Sequence, residues 1–292
     1  MKDWTDRRLA LARLLKGPTV AVPGVHDALS AMLAERAGFP VLYVGSYATA
    51  AVRLGLADVG AVSMTEMVEH AASIVNAVRV PVLADAENGW NNAANIWRTV
   101  QSFERAGVSG IHIEDHEFGK HTDAAPVLAS IEQATAKIEA AVAAREDPNF
   151  LIIARTDAPW ATGDVQDTLN RIERYAAAGA DLVMPAGLSL ADVPSAHKRS
   201  GKGVVITDRR GRSFAEEAQS GAALVLYYGL SLHASFFAVK TALEQFHATL
   251  DADALPHLRE HVTEFEQLMG YDAFAARARK YGVTADDGQK QS

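Results

Sequence analysis

Short apolar runs that end in polar residues recur along this chain. The clearest run covers residues 80–84 and is followed at once by Asp85, Glu87 and Gly89. An apolar run bounded by turn residues suits a strand buried on both faces, which occurs mainly in parallel sheets covered by helices. Two residues apart on an extended chain, the side chains of Asp85 and Glu87 point to the same side. We therefore predict a buried strand that delivers two converging carboxylates at its carboxyl end.

Four alanine-rich helical segments each end in a glycine and lead into an apolar run, at Gly38, Gly107, Gly179 and Gly221. Glycine after a helix supplies the left-handed cap, and the run is the next strand. With the runs between these joints, the predicted strands cover residues 19–22, 41–44, 80–85, 111–113, 150–155, 182–184, 203–207 and 224–227. Eight strands alternating with helices predict an α/β fold with a single (β/α)8 TIM-type barrel, because an open doubly wound sheet usually has five or six strands.

The chain continues well beyond its eighth strand with further amphipathic segments, which a barrel does not need. We expect the barrel to occupy residues 1–250 and a C-terminal helical extension to occupy residues 251–285. We expect residues 286–292, which are polar, to form a disordered tail. The surplus helices predict oligomerisation between copies of the chain.

Composition narrows the possible partners. A net charge of −8 at pH 7 argues against nucleic acid and anionic membrane, while local cations can still bind a small anionic substrate. No apolar run approaches the ~18 residues needed to cross a bilayer, and the charged N-terminus lacks a signal-type core, so we expect a cytoplasmic protein. The chain has no cysteine, which excludes disulfides, thiolate metal sites and a cysteine acid or nucleophile.

Polar residues follow several predicted strands, at the end where barrels of this type build their active sites. Carboxylates from neighbouring strands would repel each other at the barrel mouth unless a cation lay among them. An all-oxygen set suits Mg²⁺ or Mn²⁺ rather than zinc. Alternatively, Asp85 caps the next helix and Glu87 is solvated, although a carboxylate at the end of a buried strand needs a charge partner. His112 alternates with Glu114 along its strand, and we interpret it as a core histidine.

The segment after the fourth strand is polar and contains Gly119 beside Lys120. This pattern predicts a mobile lid that brings a cation to the substrate when it closes. The alternative is a solvated loop whose lysine contacts nothing.

Several motifs together resemble the isocitrate lyase and phosphoenolpyruvate mutase superfamily, and they run in family order over about residues 18–240. The resemblance is closest to the oxaloacetate decarboxylases and phosphonomutase-like members. The matching segments are residues 22–31, Gly45-Ser46, residues 55–60, Asp85-Ala86-Glu87-Asn88-Gly89, Ile113-Glu114-Asp115, and residues 137–142 leading to residues 153–158.

This resemblance implies a Mg²⁺-dependent (or Mn²⁺-dependent) barrel that acts on a small 2-oxo or 2-hydroxy carboxylate through an enolpyruvate-like intermediate. It also implies a homotetramer built as a dimer of dimers with exchanged C-terminal helices. By position, Asp85 matches the principal metal ligand, with Asp58, Glu87 and Glu114 assisting through water. The implied substrate-binding residues are Tyr43, Gly45, Ser46, Tyr47 and Arg155, and the implied catalytic residues are Lys120, Arg155, His233 and Glu114.

Departures from the family pattern bear on the substrate. Superfamily lyases that cleave isocitrate, methylisocitrate or dimethylmalate carry a lid cysteine that serves in proton transfer, and its absence here disfavours them. The helix around His233 resembles that of the oxaloacetate decarboxylases, although a histidine on an apolar helix is equally often a core group. We therefore expect carbon–carbon cleavage like that of oxaloacetate decarboxylase.

Two alternatives stay open. One is phosphorus–carbon chemistry, which Lys120 would also serve, although Thr122 replaces an asparagine found in such lids. It would interconvert phosphoenolpyruvate and phosphonopyruvate, act as a carboxyphosphonoenolpyruvate phosphonomutase, or hydrolyse phosphonopyruvate. The other is a non-catalytic barrel that binds a dicarboxylate, because Ala186 and Thr207 stand where many members have Glu and Asn. Glu87 likewise replaces the more usual Asp.

Overall fold

The strands of the barrel follow one another in sequence order around a single parallel sheet. The structure is a computed structural model that describes residues 4–118, 127–255 and 260–282. The sheet contains β1 Val20–Pro23, β2 Leu42–Val44, β3 Val82–Asp85, β4 Gly110–Glu114, β5 Leu151–Thr156, β6 Leu182–Pro185, β7 Gly203–Thr207 and β8 Leu224–Tyr227. From β2 to β8 each strand pairs in parallel with the next, and β8 pairs in parallel with β1.

The sheet closes beside Gly24, which joins the end of β1 to β2 through a parallel bridge to Tyr43. The Gly24 amide also donates to the Tyr227 carbonyl at 2.9 Å, and the Val25 amide donates to the Tyr43 carbonyl at 2.8 Å. A Cβ atom on Gly24 would lie 2.2 Å from the Tyr228 carbonyl oxygen, so only glycine fits at this seam. The predicted α/β class and eight-stranded barrel are confirmed.

Helices cover the outside of the barrel, and Ser46–Thr49 continues directly into a π-helix over Ala50–Leu54 that leads towards Asp58. Several helices begin at a serine or aspartate whose side chain accepts from the backbone of the first turn, as Asp27, Ser63, Ser130 and Ser213 do. The remaining helices are Trp4–Leu14, Ala28–Arg36, Met64–Ala77, Ile96–Arg105, Ile131–Ala144, Ala158–Ala161, Val165–Ala177, Leu190–Asp192 (3-10), Val193–Ser200, Phe214–Gln219, Leu230–Thr249, Ala252–Ala254 (3-10), Val262–Met269 and Tyr271–Lys280.

Side chains along each strand alternate between the barrel interior and the surrounding helices, so the core has an inner and an outer layer. This alternation decides which polar side chains point to the interior at the mouth of the barrel. On β3, Val82 and Ala84 pack outwards against the helices, whereas Leu83 belongs to the inner cluster. Asp85 lies two residues after Leu83 and therefore points to the inner side at the mouth. Arg155 follows the inner residue Ile153 on β5 in the same way.

The predicted boundaries match the seventh and eighth strands and differ from those of the other strands by at most two residues. The third strand begins at Val82 because Pro81 has no amide to donate, although the Pro81 carbonyl still accepts from the Leu42 amide at 3.0 Å. An antiparallel pair, His116–Phe118 with Val127–Leu128, was not predicted. It flanks the segment that contains Lys120, which lies outside the described residues, as does the predicted tail.

The chain divides into two compact units, Met1–His233 and Ala234–Ser292. The second unit exposes large aromatic side chains, among them Phe237 and Phe274. The use of these helices in oligomerisation stays a prediction. Within the described residues, no helix combines the length and apolar character required to cross a membrane.

Candidate active site

Asp85 lies at the end of β3 and joins the polar groups of two neighbouring loops. Its Oδ2 accepts from the Ser46 hydroxyl at 2.9 Å, and the same hydroxyl lies 3.1 Å from Asp58 Oδ1. Its Oδ1 accepts from the Glu87 amide at 2.8 Å. All four side chains are buried, with Asp85 only 3% exposed. The sequence-predicted residues Ser46, Asp58, Asp85 and Glu87 are therefore gathered at one point.

Tyr43 and His112 extend this cluster into the barrel interior. The Tyr43 hydroxyl lies 2.9 Å from His112 Nε2, and the two rings stack at 5.7 Å. The His112 Nδ1 atom lies 3.6 Å from Asp85 Oδ1. Burial, reinforced by the nearby Asp85 carboxylate, raises the pKa of Tyr43 well above its usual value. Tyr43 therefore stays protonated and can donate a hydrogen bond.

Arg155 pairs with carboxylates on both sides of its strand end. Its Nη1 lies 2.8 Å from Glu114 Oε2, and its Nε and Nη2 donate to the two oxygens of Asp157 at 2.8 and 3.1 Å. Burial opposes the charge, but Asp157 and Glu114 together raise the pKa of Arg155 well above its usual value. Burial also opposes the charge of Asp157, yet Arg155 and His116 hold its pKa far below the usual range. The guanidinium is thus fixed in place as a permanent cation.

The buried Asp115 carboxylate holds the backbone of Asp157 in place. The Asp157 amide donates to Asp115 Oδ1 at 3.0 Å, and Asp115 Oδ2 accepts from Arg171 Nη1 at 3.1 Å and from the Tyr175 hydroxyl at 2.8 Å. Asp115 follows β4 directly, so this contact ties the ends of β4 and β5 together. Its role is to position Asp157 and hence Arg155.

The loop after β3 is tightly folded and carries Glu87 into the site. Glu87 and Trp90 both have a positive φ, of 47° and 53°, and Gly89 lies between them at 86°. Such backbone is costly for residues with side chains and occurs where the surroundings enforce it. Lys137 helps to enforce it, since its Nζ donates to the Asn88 carbonyl at 2.8 Å.

A cavity of about 280 Å³ opens at this end of the barrel. Tyr43, Gly45, Asp58, Asp85 and Arg155 line its polar side. Its other walls contain apolar and polar groups from β5 through β8, namely Trp160, Met184, Ala186, Thr207, Asp208, Arg209, Leu226 and Tyr228, and Tyr47 also lines it. The Arg155 guanidinium lies 5.5 Å from the centre of the Trp160 ring. The cavity suits a small molecule with an anionic or chelating end.

His233 lies beside this cavity rather than among the described residues that line it. Its Nε2 is 3.2 Å from the Tyr47 hydroxyl, and its ring packs edge-on to that of Tyr47 at 5.8 Å. Tyr47 also packs edge-on against Tyr228 at 5.7 Å. His233 therefore reaches the site through Tyr47, at its rim.

Two groups of described side chains could hold a metal ion, with ligand atoms within 4.8 Å of one another. They are Asp85, His112 and Glu114, and Glu114, His116 and Asp157. Buried carboxylates so close together are costly unless a cation lies among them, and Arg155 already serves Glu114 and Asp157, so a metal ion has most to neutralise beside Asp85. The oxygen donors of Asp85, Asp58, Glu87 and Glu114 fit Mg²⁺ or Mn²⁺. The sequence predicted oxygen ligands alone, whereas the first group also contains a ring nitrogen of His112.

Most sequence-predicted site residues are gathered here. The exceptions are Lys120, which lies outside the described residues, and His233, which contacts Tyr47 and is not among the described residues that line the cavity. The sequence placed Asp157 beside Arg155 at the end of the fifth strand, but it did not indicate the contacts of His112 and His116 or the position of Asp208 in the cavity wall. His112 is buried as expected, but it also bonds to Tyr43. A sequence signal existed for Asp208, since it comes directly after the predicted strand of residues 203–207.

The family model described as phosphoenolpyruvate phosphomutase matches residues 11–247, which is most of the chain. The chain belongs to this family. The resemblance read from the sequence motifs is confirmed, and the protein is an enzyme of a superfamily of metal-dependent lyases and mutases.

Curated relatives in the phosphoenolpyruvate phosphomutase family include lyases and decarboxylases. The 2,3-dimethylmalate lyase of Eubacterium barkeri is 43% identical over 166 residues, which are 56% of this chain and 57% of the relative. An oxaloacetate decarboxylase of Rhodopseudomonas palustris is 39% identical over 188 residues, which are 63% of this chain and 65% of the relative. Both alignments thus span less than two thirds of the relative's length.

Solved structures match over nearly the whole chain. Phosphoenolpyruvate phosphomutase from Streptomyces platensis subsp. rosaceus superposes with a TM-score of 0.86 at 33% identity, covering 94% of this chain and 99% of that one. Phosphonopyruvate hydrolase in complex with oxalate and Mg²⁺ superposes with a TM-score of 0.85 at 27% identity, with the same coverage. The similar proteins therefore include enzymes named for carbon–carbon chemistry and enzymes named for phosphorus–carbon chemistry.

Proposed function

We propose that this protein is a Mg²⁺-dependent lyase that cleaves a carbon–carbon bond in a small 2-oxo dicarboxylate, with oxaloacetate as the best candidate. The observation that carries the proposal is the cavity in which Asp58, Asp85 and Arg155 meet at the strand ends, in a chain without cysteine. The cavity can take one small anion, and the missing cysteine disfavours the lyases that use one as an acid.

Asp85 would hold the metal directly, and Asp58, Glu87 and Glu114 would assist. Mg²⁺ or Mn²⁺ held by these residues would act as a Lewis acid that withdraws electron density from the 2-oxo carboxylate. The substrate carboxylate would lie against the Ser46 hydroxyl and the backbone from Gly45 to Tyr47. This assignment is supported by the position of Ser46, whose hydroxyl and amide both face Asp85.

Arg155 and Tyr43 would stabilise the negative charge that develops on the 2-oxo oxygen. In the reaction the bond between C3 and C4 breaks, CO₂ leaves, and the electron pair forms the enolate of pyruvate. Protonation of C3 then yields pyruvate. Tyr43 is buried, and burial is the main cause that raises its pKa, so its hydroxyl can donate to an oxyanion. Glu114 acts by fixing Arg155 through their 2.8 Å contact.

His233 and Lys120 would complete the site from its rim. His233 would orient Tyr47 towards the substrate, as supported by their 3.2 Å contact. We propose that Lys120 acts from a closing lid. Its replacement by alanine should lower turnover and leave the melting temperature nearly unchanged, and unchanged turnover would favour a plain surface lysine.

Phosphorus–carbon chemistry is the second candidate, and the similarity to the phosphomutase and the phosphonopyruvate hydrolase favours it. The same cavity residues would bind the 2-oxo carboxylate of phosphonopyruvate. A dicarboxylate-binding barrel without catalysis is a weaker candidate, since binding alone gives little reason for Arg155 and the metal carboxylates to occur together.

One experiment separates these candidates. The Mg²⁺-loaded protein is incubated in turn with oxaloacetate and with phosphonopyruvate, and pyruvate, phosphoenolpyruvate and phosphate are followed. We expect pyruvate from oxaloacetate. Turnover of phosphonopyruvate with oxaloacetate inert would reverse the ranking, and binding without turnover across a panel of 2-oxo acids would favour the non-catalytic barrel.

A further inference from the structure

The reaction proposed above leaves an enolate whose C3 carbon must receive a proton. The chain contains no cysteine that could deliver it. If the proposed function holds, a side chain of the cavity has to act as this acid.

Asp208 directly follows β7 and lines the cavity. Around the closed sheet, β7 is separated from β3 by three strands in either direction, so Asp208 lies across the mouth from Asp85. Asp85 and Asp208 line the same cavity, so a substrate whose 2-oxo carboxylate is held beside Asp85 would extend its C3 and C4 carbons into the space that Asp208 borders. The topology therefore places the Asp208 carboxyl in the wall opposite the proposed metal site.

The Asp208 carboxyl is available for proton transfer. Among the described residues it makes no ion pair and no hydrogen bond to another side chain, and it is half-buried. Arg209, the next residue, donates to neutral oxygens, the Thr207 hydroxyl at 2.9 Å and the Leu188 carbonyl at 2.7 Å. Asp208 is thus an uncommitted carboxyl in the wall of a partly enclosed cavity.

The charged and titratable groups around Asp208 are Glu217, Arg209, His233, Tyr227 and Tyr228. Glu217 is fully buried, where the Tyr227 hydroxyl donates to it at 2.6 Å. Burial and then Glu217 raise the pKa of Asp208, against the opposing effects of Arg209 and His233. A carboxyl acid with a raised pKa is better matched to proton transfer near neutral pH.

We propose that Asp208 is the catalytic acid that protonates C3 of the enolate. The Asp208 O–H bond breaks as the new C3–H bond forms, the enolate electron pair makes that bond, and the 2-oxo group of pyruvate is restored. The Asp208 carboxylate then takes a proton from water. One proton is consumed for each CO₂ released. His233 is a positioning residue in this scheme, because it contacts Tyr47 and does not line the cavity.

The test follows the reverse of this step, in which the Asp208 carboxylate removes a proton from the methyl group of pyruvate. The Mg²⁺-loaded protein in D₂O should exchange the methyl protons of pyruvate for deuterium, as measured by NMR. Asp208→Asn should slow this exchange by about 100-fold or more, the usual contribution of a general acid or base. Asp208→Glu should retain part of it, and Arg210→Gln, at the exposed neighbouring position, should retain all of it.

Two further readouts separate proton transfer from a structural role. Oxalate should stabilise Asp208→Asn against heat as much as it stabilises the wild type, which shows an intact site. The exchange rate of the wild type should rise as the pH increases through the raised pKa of Asp208, because the carboxylate is the base, and this rise should vanish in Asp208→Asn.

The possible outcomes distinguish this inference from the proposed function. If the wild type decarboxylates oxaloacetate and Asp208→Asn exchanges pyruvate within a few-fold of the wild-type rate, the inference is wrong and the function stands. If the wild type exchanges pyruvate in an Asp208-dependent way but leaves oxaloacetate intact, the inference stands and the substrate is wrong. If the wild type does neither, both are overturned.

Discussion

Replacing Asp85 by asparagine tests whether this carboxylate is a metal ligand while preserving the volume of the side chain. The ligand atoms of Asp85, His112 and Glu114 lie within 4.8 Å of one another. Two carboxylates at that separation repel each other by about 3 kcal/mol at an effective dielectric constant of about 20. Asparagine removes this repulsion, and its oxygen can still accept from Ser46. Its amino group would then face the Glu87 amide, from which Asp85 Oδ1 accepts at 2.8 Å, and this contact would be lost. Because the two effects oppose each other, the metal-free variant should melt within a few degrees of the wild type.

The wild type and Asp85→Asn should differ in how much Mg²⁺ raises their melting temperatures. A ligand at about 100 times its Kd adds about 2.7 kcal/mol to the free energy of unfolding, which corresponds to roughly 5–10 °C for a domain of this size. The wild type should show this increase between chelator and saturating MgCl₂, and Asp85→Asn should lose most of it together with turnover.

Thermal unfolding followed by circular dichroism at a fixed protein concentration measures both effects. Asp164→Asn is a matched control, because Asp164 caps a helix through the amides of Gln166 and Asp167 and asparagine caps equally well. That variant should keep the full Mg²⁺-dependent increase. If Mg²⁺ raises the melting temperature of Asp85→Asn as much as that of the wild type, Asp85 is not a metal ligand and the electrostatic reasoning is refuted.

Three further predictions concern Arg155, Asp157 and the oligomeric state of the protein. Arg155→Lys should lower kcat for pyruvate formation at least ~10-fold, since an ammonium cannot reproduce the two-point contact with Asp157, and a kcat near wild type would contradict this role. Because the folded pKa of Asp157 is depressed, its stabilising contribution is complete above the ordinary carboxyl pKa of about 4 and is lost as pH falls towards the folded pKa. Denaturant titrations should show this acid decline in the wild type and a shallower one in Asp157→Asn. Sedimentation should give a homotetramer at micromolar concentration, and a monomer would contradict the oligomer prediction.

The barrel was predictable because its signals are local. Each strand is a continuous apolar run, and Asp85 and Arg155 stand at the ends of two of them. Their inward direction follows from the two-residue period of the strand, with Leu83 and Ile153 as the preceding inner residues. Segment boundaries were less accurate, since the start of β3 depends on the missing amide of Pro81 and not on hydrophobicity.

The histidine contacts of the site were not predictable in this way. Tyr43 and His112 are 69 residues apart and lie on strands that are separated by β3, so their hydrogen bond depends on the stagger of three strands. The same apolar surroundings suit a core histidine and one that bonds to an active-site tyrosine. The short antiparallel pair that includes His116 was missed because the segment is polar and too short for a strand pattern.

The seam at Gly24 has a consequence for how the molecule folds. Val20 pairs with Leu224, and the Thr19 hydroxyl donates to the Ala222 carbonyl 203 residues away. The carboxylates beside Asp85 come from the first half of the chain, whereas Asp208 and Tyr228 arrive in the last third. Contacts of such long sequence separation form slowly, because the intervening loop must close first. The carboxylates that gather beside Asp85 are therefore all synthesised well before the strand that closes the barrel.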